Sequence, residues 1–206
     1  AVRALAVMPL AEFTALFLLA TAMSFTPGPN TSLATAIAAN QGLRPAMRFV
    51  LAVPVGWCLM LVLCAAGLGA AVLAVPPLRW GIKALGIAYL FWLAWRLSQS
   101  TRMAQADGSH LTVGFWEGVA LQFVNIKAWL MLLAIVASWI IGRDDGVRRM
   151  LLVVPVMAGF AFTSNFAYAA VGALLRGWLA QGARLLWFNR AMGLVLAFTA
   201  LWMIAA

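Results

Sequence analysis

The sequence predicts an all-α polytopic membrane protein: six transmembrane helices arranged as two inverted three-helix repeats, with the first helix broken at Pro27-Gly28-Pro29. Three observations lead there. Of 206 residues, 66% are hydrophobic and 9% charged, which is more apolar surface than a water-soluble domain of this size can hide. The apolar residues fall into runs near the roughly 20 needed for a helix to cross a bilayer. Two motifs also recur in order. Leu51-Ala52-Val53-Pro54-Val55 returns as Leu152-Val153-Val154-Pro155-Val156, and Trp80-Gly81-Ile82-Lys83-Ala84-Leu85-Gly86 returns as Trp187-Phe188-Asn189-Arg190-Ala191-Met192-Gly193.

The first span covers 13–39 and is interrupted by Thr26-Pro27-Gly28-Pro29-Asn30. Its two prolines lack backbone donors and cannot continue the helical ladder. In hydrocarbon an orphaned polar group is costly unless protein or a wet cavity satisfies it, so such breaks sit where a polar ligand or ion is handled. The second span, 47–75, stops at Pro76-Pro77, and the third covers 80–97. The fourth, 128–141, is short for a crossing at about 1.5 Å per residue. Either it begins near Leu121, or the approach segment 113–127 dips into the membrane. The fifth covers 150–175 and the last 187–204. The one sizeable polar stretch, 98–112, leaves no room for a soluble domain, so residues 1–206 form a single membrane domain with halves near 10–98 and 113–206. Three spans per half force the second half to insert upside down, which places a site near the midplane where the broken helices meet. The chain opens on Ala1, with Met8 a candidate start, and its first apolar stretch is too long for a simple signal peptide.

A net charge of +9 would suggest nucleic acid in a soluble chain. Here the bases sit at helix ends, as topology signals and headgroup contacts do, so membrane lipid is the expected partner and nucleic acid is not. With alternating spans, one side collects Arg3, Arg79, Lys83, Arg143, Arg148 and Arg149, and the other Arg44, Arg48, Arg96, Arg102, Arg176, Arg184 and Arg190. That balance leaves the orientation undecided. Cys58 and Cys64 point to different faces of one helix and read as small buried hydrophobes. His110, the single histidine, lies in the polar stretch. No metal or cofactor is expected, and homo-oligomerisation is an expectation from the small apolar domain alone.

The candidate site gathers at the breaks. Pro27, Gly28 and Pro29 free carbonyls before the break and expose amides from Asn30 to about Leu33 at a new helix start. A helix N-terminus carries about half a positive charge and suits a carboxylate. Asn30, Thr31 and Ser32 can cap that helix or touch a ligand. The alternative is a proline kink satisfied by neighbouring helices. In the second half the positional partner is Gln122-Phe123-Val124-Asn125-Ile126-Lys127, which sets polar side chains at the mouth of an apolar span without a proline. Lys127 reads as a carboxylate contact or proton-linked switch, or as a lysine snorkelling to headgroups. Glu117 reads as an interfacial carboxylate. Asn165 and Tyr168 share a helix face with Thr163 and Ser164 nearby, either bonding between helices or lining a substrate path.

These residues resemble the LysE/RhtB family of bacterial amino-acid exporters. The resemblance rests on Phe25-Thr26-Pro27-Gly28-Pro29-Asn30, on Gln41-Gly42-Leu43-Arg44, on Asn125-Ile126-Lys127-Ala128 against the family's Asn-Pro-Lys-Ala, and on the stretch 187–193. It implies a multi-pass protein of the bacterial inner membrane that exports a small amino acid or derivative, driven by the proton gradient, and that is not an enzyme. The substrate would meet Pro27, Gly28, Pro29, Asn30, Thr31, Asn125 and Lys127, with Asn165 and Tyr168 along the path. Ile126 replaces the family's proline, so a softer second break is expected. Trp57 follows Gly56 where some members carry an acid, which argues against lysine or arginine as cargo. The rival readings are a thiol-redox carrier, for which the cysteine spacing is unsuitable, and a passive small-solute channel.

Overall fold

The computed structural model describes residues 8–100 and 113–205, with the side chain of Ala205 left out. Arg3, Arg102, Asp107 and His110 lie outside the described residues. The described chain is helical, with nine α-helices in the order α1 (Leu10–Phe25), α2 (Pro29–Gln41), α3 (Leu43–Leu63), α4 (Gly69–Ala74), α5 (Pro76–Ser98), α6 (Phe115–Val124), α7 (Ile126–Ile135), α8 (Gly146–Leu179) and α9 (Arg184–Ala205). π-Helical turns at Cys64–Leu68 and Val136–Ile140 follow α3 and α7.

The prolines and glycines set the boundaries. Pro27 holds Thr26 extended and ends α1, and Pro29 opens α2 at a position where a missing N–H costs nothing. The two helices bend by 48°. Gly42, at φ 95°, both closes α2 and opens α3, a conformation that favours glycine. The second span differs from the sequence expectation: Gly67, at φ 113°, throws the ladder into a π-turn before α4. The second break also differs. It bends by 68°, more sharply than the first although Ile126 stands in place of proline. A single extended residue, Asn125, makes the whole turn.

Three stretches are long and apolar enough to cross a membrane: Leu43–Ala74, Gly146–Leu179 and Arg184–Ile204. The bent pairs α1–α2 and α6–α7 raise the candidates to five. Helix α5 has the length, at 23 residues, but carries Pro76, Pro77, Arg79, Lys83 and Arg96.

Helix α2 is the hub. Eleven of its 13 residues are buried. Its small side chains let α8 close in, and a Cβ at Gly172 of α8 would overlap the Thr35 carbonyl. Around α2 gather Phe49 and Val53 of α3, Leu93 and Leu97 of α5, Leu121 of α6 and Leu196 of α9. A second core joins Leu16 and Ala20 of α1, Met60 of α3, Leu132 of α7 and Met157 of α8. The repeated motifs behave alike. Lys83 Nζ lies 5.1 Å from the Trp80 ring centre and the Arg190 guanidinium 5.3 Å from that of Trp187. Pro54 and Pro155 each sit inside a long helix, α3 and α8, and the two helices pack together.

Polar clusters tie the halves together at opposite ends. At one end Arg149 of α8, buried, pairs with Glu12 of α1 and Asp145, and Trp139 Nε1 donates to the Glu12 carbonyl at 3.1 Å. At the other, Asn40 of α2 and Asn189 of α9 exchange side-chain hydrogen bonds at 2.8 and 3.0 Å, and Asn189 Nδ2 also donates to the Ser100 carbonyl.

Candidate functional site

The two breaks meet between these clusters. Lys127, just after the second, donates from Nζ to the Thr26 carbonyl at the first, 2.7 Å away. Its stem runs over Gly28, where a Cβ would come within 3.1 Å of Lys127 Cδ, so glycine leaves the lysine its berth. The Asn30 and Gln122 amides pair reciprocally, at 2.7 and 3.2 Å, joining α2 to α6. Gln122 is fully buried, and its second amide proton goes to the Gly118 carbonyl at 3.0 Å. Gly56 permits this approach, since a Cβ there would lie 2.7 Å from Gln122 Cγ.

At the first break Pro29 has no N–H to offer the Phe25 carbonyl. Tyr168 of α8 supplies a hydroxyl instead, at 2.9 Å. The Gly28 amide donates to Thr31 Oγ1, and the Ser32 amide to the Gly28 carbonyl. The expected exposure of amides from Asn30 to Leu33 is therefore narrower: the Ser32 bond closes the ladder, leaving the Asn30 and Thr31 amides at the mouth of α2. At the second break the Asn125 amide returns to the Gln122 carbonyl, and Trp129 Nε1 caps the Phe123 carbonyl at 2.8 Å.

Between the breaks lies a cavity of about 60 Å³. One water needs at least about 10–15 Å³ of such space, so it can take several waters or a small organic ligand. Gly28, Pro29, Asn30, Thr31, Asn125, Lys127 and Asn165 line it. Pro27 is exposed and Tyr168 caps α1, and neither is in the lining. Met23, Met131, Met157, Trp57 and Val53 supply an apolar wall. The lining has one charged group, Lys127, and no carboxylate. With the α2 N-terminus beside it, the field favours an anionic group. Two of the lining residues, Asn125 and Asn165, each have a buried Oδ1 with no hydrogen-bond partner, a state that costs about 1–3 kcal/mol per group if left unsatisfied.

Gln122 is marked in the sequence only as a polar residue one turn before Asn125, and its pairing with Asn30 has no sequence signal. The methionine wall has none either. Glu117 lies outside the cavity lining and ties α6 to α5, accepting from Tyr89 at 2.7 Å and from the Gly114 amide at 3.3 Å. Cys58 and Cys64 are free thiols outside the cavity lining.

Among known families, the LysE type translocator model matches residues 21–206. A cysteine/O-acetylserine efflux protein of Escherichia coli (strain K12) is 30% identical over 190 residues, covering 89% of this chain and 92% of the relative. The protein so named in Klebsiella pneumoniae subsp. pneumoniae is 30% identical over 170 residues, covering 82% and 86%. No solved structure matches.

Proposed function

The chain belongs to the LysE type translocator family, and from that premise we propose that it is a secondary exporter of a small zwitterionic amino acid or derivative. As a member it is a translocator rather than an enzyme. One observation carries the reading: the two helix breaks enclose a cavity with one lysine, the mouth of a buried helix and no acid. The ligand carboxylate faces the Asn30 and Thr31 amides and Lys127. Relatives are named for cysteine and O-acetylserine, and the cavity's size and methionine wall suit compact uncharged side chains of that kind.

The finer reading has six crossings in one domain of the bacterial inner membrane. Helix α5 serves as the third, because its length suffices and its bases cluster towards its ends. Two inverted halves are supported by the paired cation–π contacts, the paired prolines and a broken pair opening each half. The halves rock about the shared cavity, and the end clusters at Glu12–Arg149 and Asn40–Asn189 are the contacts that must open in turn. If export is driven by protons, Lys127 is the one titratable side chain in the cavity able to carry them. The test is a metabolite profile of the medium from cells with and without the protein, with and without an uncoupler. Excess cysteine or O-acetylserine, abolished by the uncoupler, supports the reading. An unchanged profile overturns export, and export that merely follows the concentration gradient makes the protein a channel.

A further inference from the structure

Asn125 and Asn165 come from different segments, the turn between α6 and α7 and the middle of α8, yet both line one cavity and each has a buried oxygen without a partner. They are 5% and 3% exposed. For Asn165 the choice of atom is set by its neighbour: Nδ2 donates to the Ala161 carbonyl at 2.8 Å, so the oxygen is the end left over. Two buried acceptors without donors call for a donor-rich guest. The same cavity is lined by Asn30 and Thr31, whose amides open α2, and by Lys127, whose Nζ donates to the Thr26 carbonyl with protons to spare. Donors and acceptors lining one cavity are the complement of an α-amino acid.

We propose that Asn125 Oδ1 and Asn165 Oδ1 form a subsite for the substrate's α-ammonium group. This rests on the exporter reading and gives it an orientation. The carboxylate lies at the α2 mouth, the ammonium between the two asparagines, and the side chain against Met23, Met131 and Met157. The acceptors are neutral, so they hold the ammonium by hydrogen bonds alone, and the substrate's own carboxylate answers the Lys127 charge. The substrate class is therefore α-amino acids with a free amine and a small uncharged side chain. An α-hydroxy acid of the same shape, or an N-acylated derivative, leaves one or both oxygens orphaned and is refused.

The experiment uses the full chain in proteoliposomes. Exchange of labelled cysteine, kept reduced, is competed by unlabelled cysteine, by N-acetylcysteine and by 2-hydroxy-3-mercaptopropionate. Wild type should prefer cysteine over both analogues by roughly tenfold or more, the size of one lost charge-assisted hydrogen bond. Asn165→Leu and Asn125→Leu should weaken cysteine and shrink the preference to within about threefold. Asn165→Asp keeps an oxygen at the position and should keep the preference, which a merely structural asparagine would not explain. Wild type that exchanges cysteine without discriminating, or leucine variants that keep full discrimination, would overturn the subsite while leaving the exporter intact. Replacing sodium by choline is the remaining arm: if it weakens cysteine exchange in wild type and not in Asn165→Leu, the oxygens hold a sodium ion instead and the proposal falls. Wild type that moves no cysteine, serine or alanine removes the exporter reading and the subsite with it.

Discussion

The first break spends three residues, 26–28, on a bend of 48°, and the second spends one, Asn125, on a bend of 68°. The proline-rich break is the gentler of the two. They also differ in who satisfies them. Carbonyls freed at the first are met from the other half of the chain, Phe25 by Tyr168 and Thr26 by Lys127. Those at the second are met locally, Phe123 by the Trp129 indole six residues on. Proline therefore does not decide how sharply a membrane helix breaks. It decides that donors are missing, and the bend follows from where replacements stand. The first break is hostage to the position of α7 and α8, whereas the second is a self-contained elbow. A joint between halves that must move would use the first kind of break as its sensor and the second as its fixed point.

The largest expected effect strikes the contact between the two. Lys127→Met keeps the stem over Gly28 and removes the charge, the Thr26 bond and the proposed carboxylate contact. Efflux per folded molecule should fall roughly tenfold to a hundredfold. Gly28→Ala should do less, because the methyl meets the flexible stem, which can shift. Equal losses from the two would mean that Lys127 acts through packing alone.

Next comes the elbow itself. Gly86 of α5 lies against the Val124 carbonyl, one residue before the turn, and an added Cβ would overlap it. Backbone cannot yield as a side chain can, so Gly86→Ala should destabilise by about 1–3 kcal/mol. Its counterpart in the second copy of the motif, Gly193, faces the Ala94 carbonyl with a Cβ distance of 2.9 Å, and Gly193→Ala should cost less. Thermal unfolding in detergent measures both, and the reverse order would mean that the elbow is compliant.

What could be read beforehand follows the same division. The Pro27-Gly28-Pro29 break was legible because proline announces its missing donor in any context. Asn125 and Lys127 were reached by their position in the repeat and by resemblance, not by local chemistry, so the sharpness of their break was misjudged. The cap that makes it sharp is a tryptophan six residues away, and nothing in a run of apolar residues marks one indole as a donor to a particular carbonyl. Gly67 carries no sequence signal for a similar reason, since its positive φ is a tertiary outcome. The Glu12–Arg149 pair and the Asn40–Asn189 exchange join residues more than a hundred positions apart, beyond any periodicity. Asn165 was visible as a polar residue in a span, but that its oxygen lacks a partner is a property of the packed molecule.

A smaller effect separates the two capping schemes. Trp129→Phe leaves the Phe123 carbonyl without its donor at the elbow and should cost about 1–3 kcal/mol. Tyr168→Phe removes a cap from a more accessible carbonyl and should cost about 0.5–1.5 kcal/mol. The more telling readout is efflux. If the first break senses the other half, Tyr168→Phe should change the rate out of proportion to its small effect on stability, whereas Trp129→Phe should lower abundance and rate together.

The smallest effect is at the far end of α1, where Glu12 anchors the helix that leads to the first break. Asp145 and Arg143 are the other groups facing Arg149 and Glu12 there. The hydrogen bond from Arg149 holds the Asp145 carboxyl below its usual range. A carboxyl depressed by folding contributes stability above its unfolded value, about 3.9, and that contribution is lost as pH falls through the lower folded value. Wild type should therefore unfold at a slightly higher temperature than Asp145→Asn at neutral pH, and the two should converge as pH falls below the carboxyl's lowered folded value. A difference that persists in acid would mean that the aspartate acts through its shape rather than its charge. Because the anchor holds α1 and not α6, the acid-induced loosening should appear as protease sensitivity near the first break and leave the elbow at Asn125 protected.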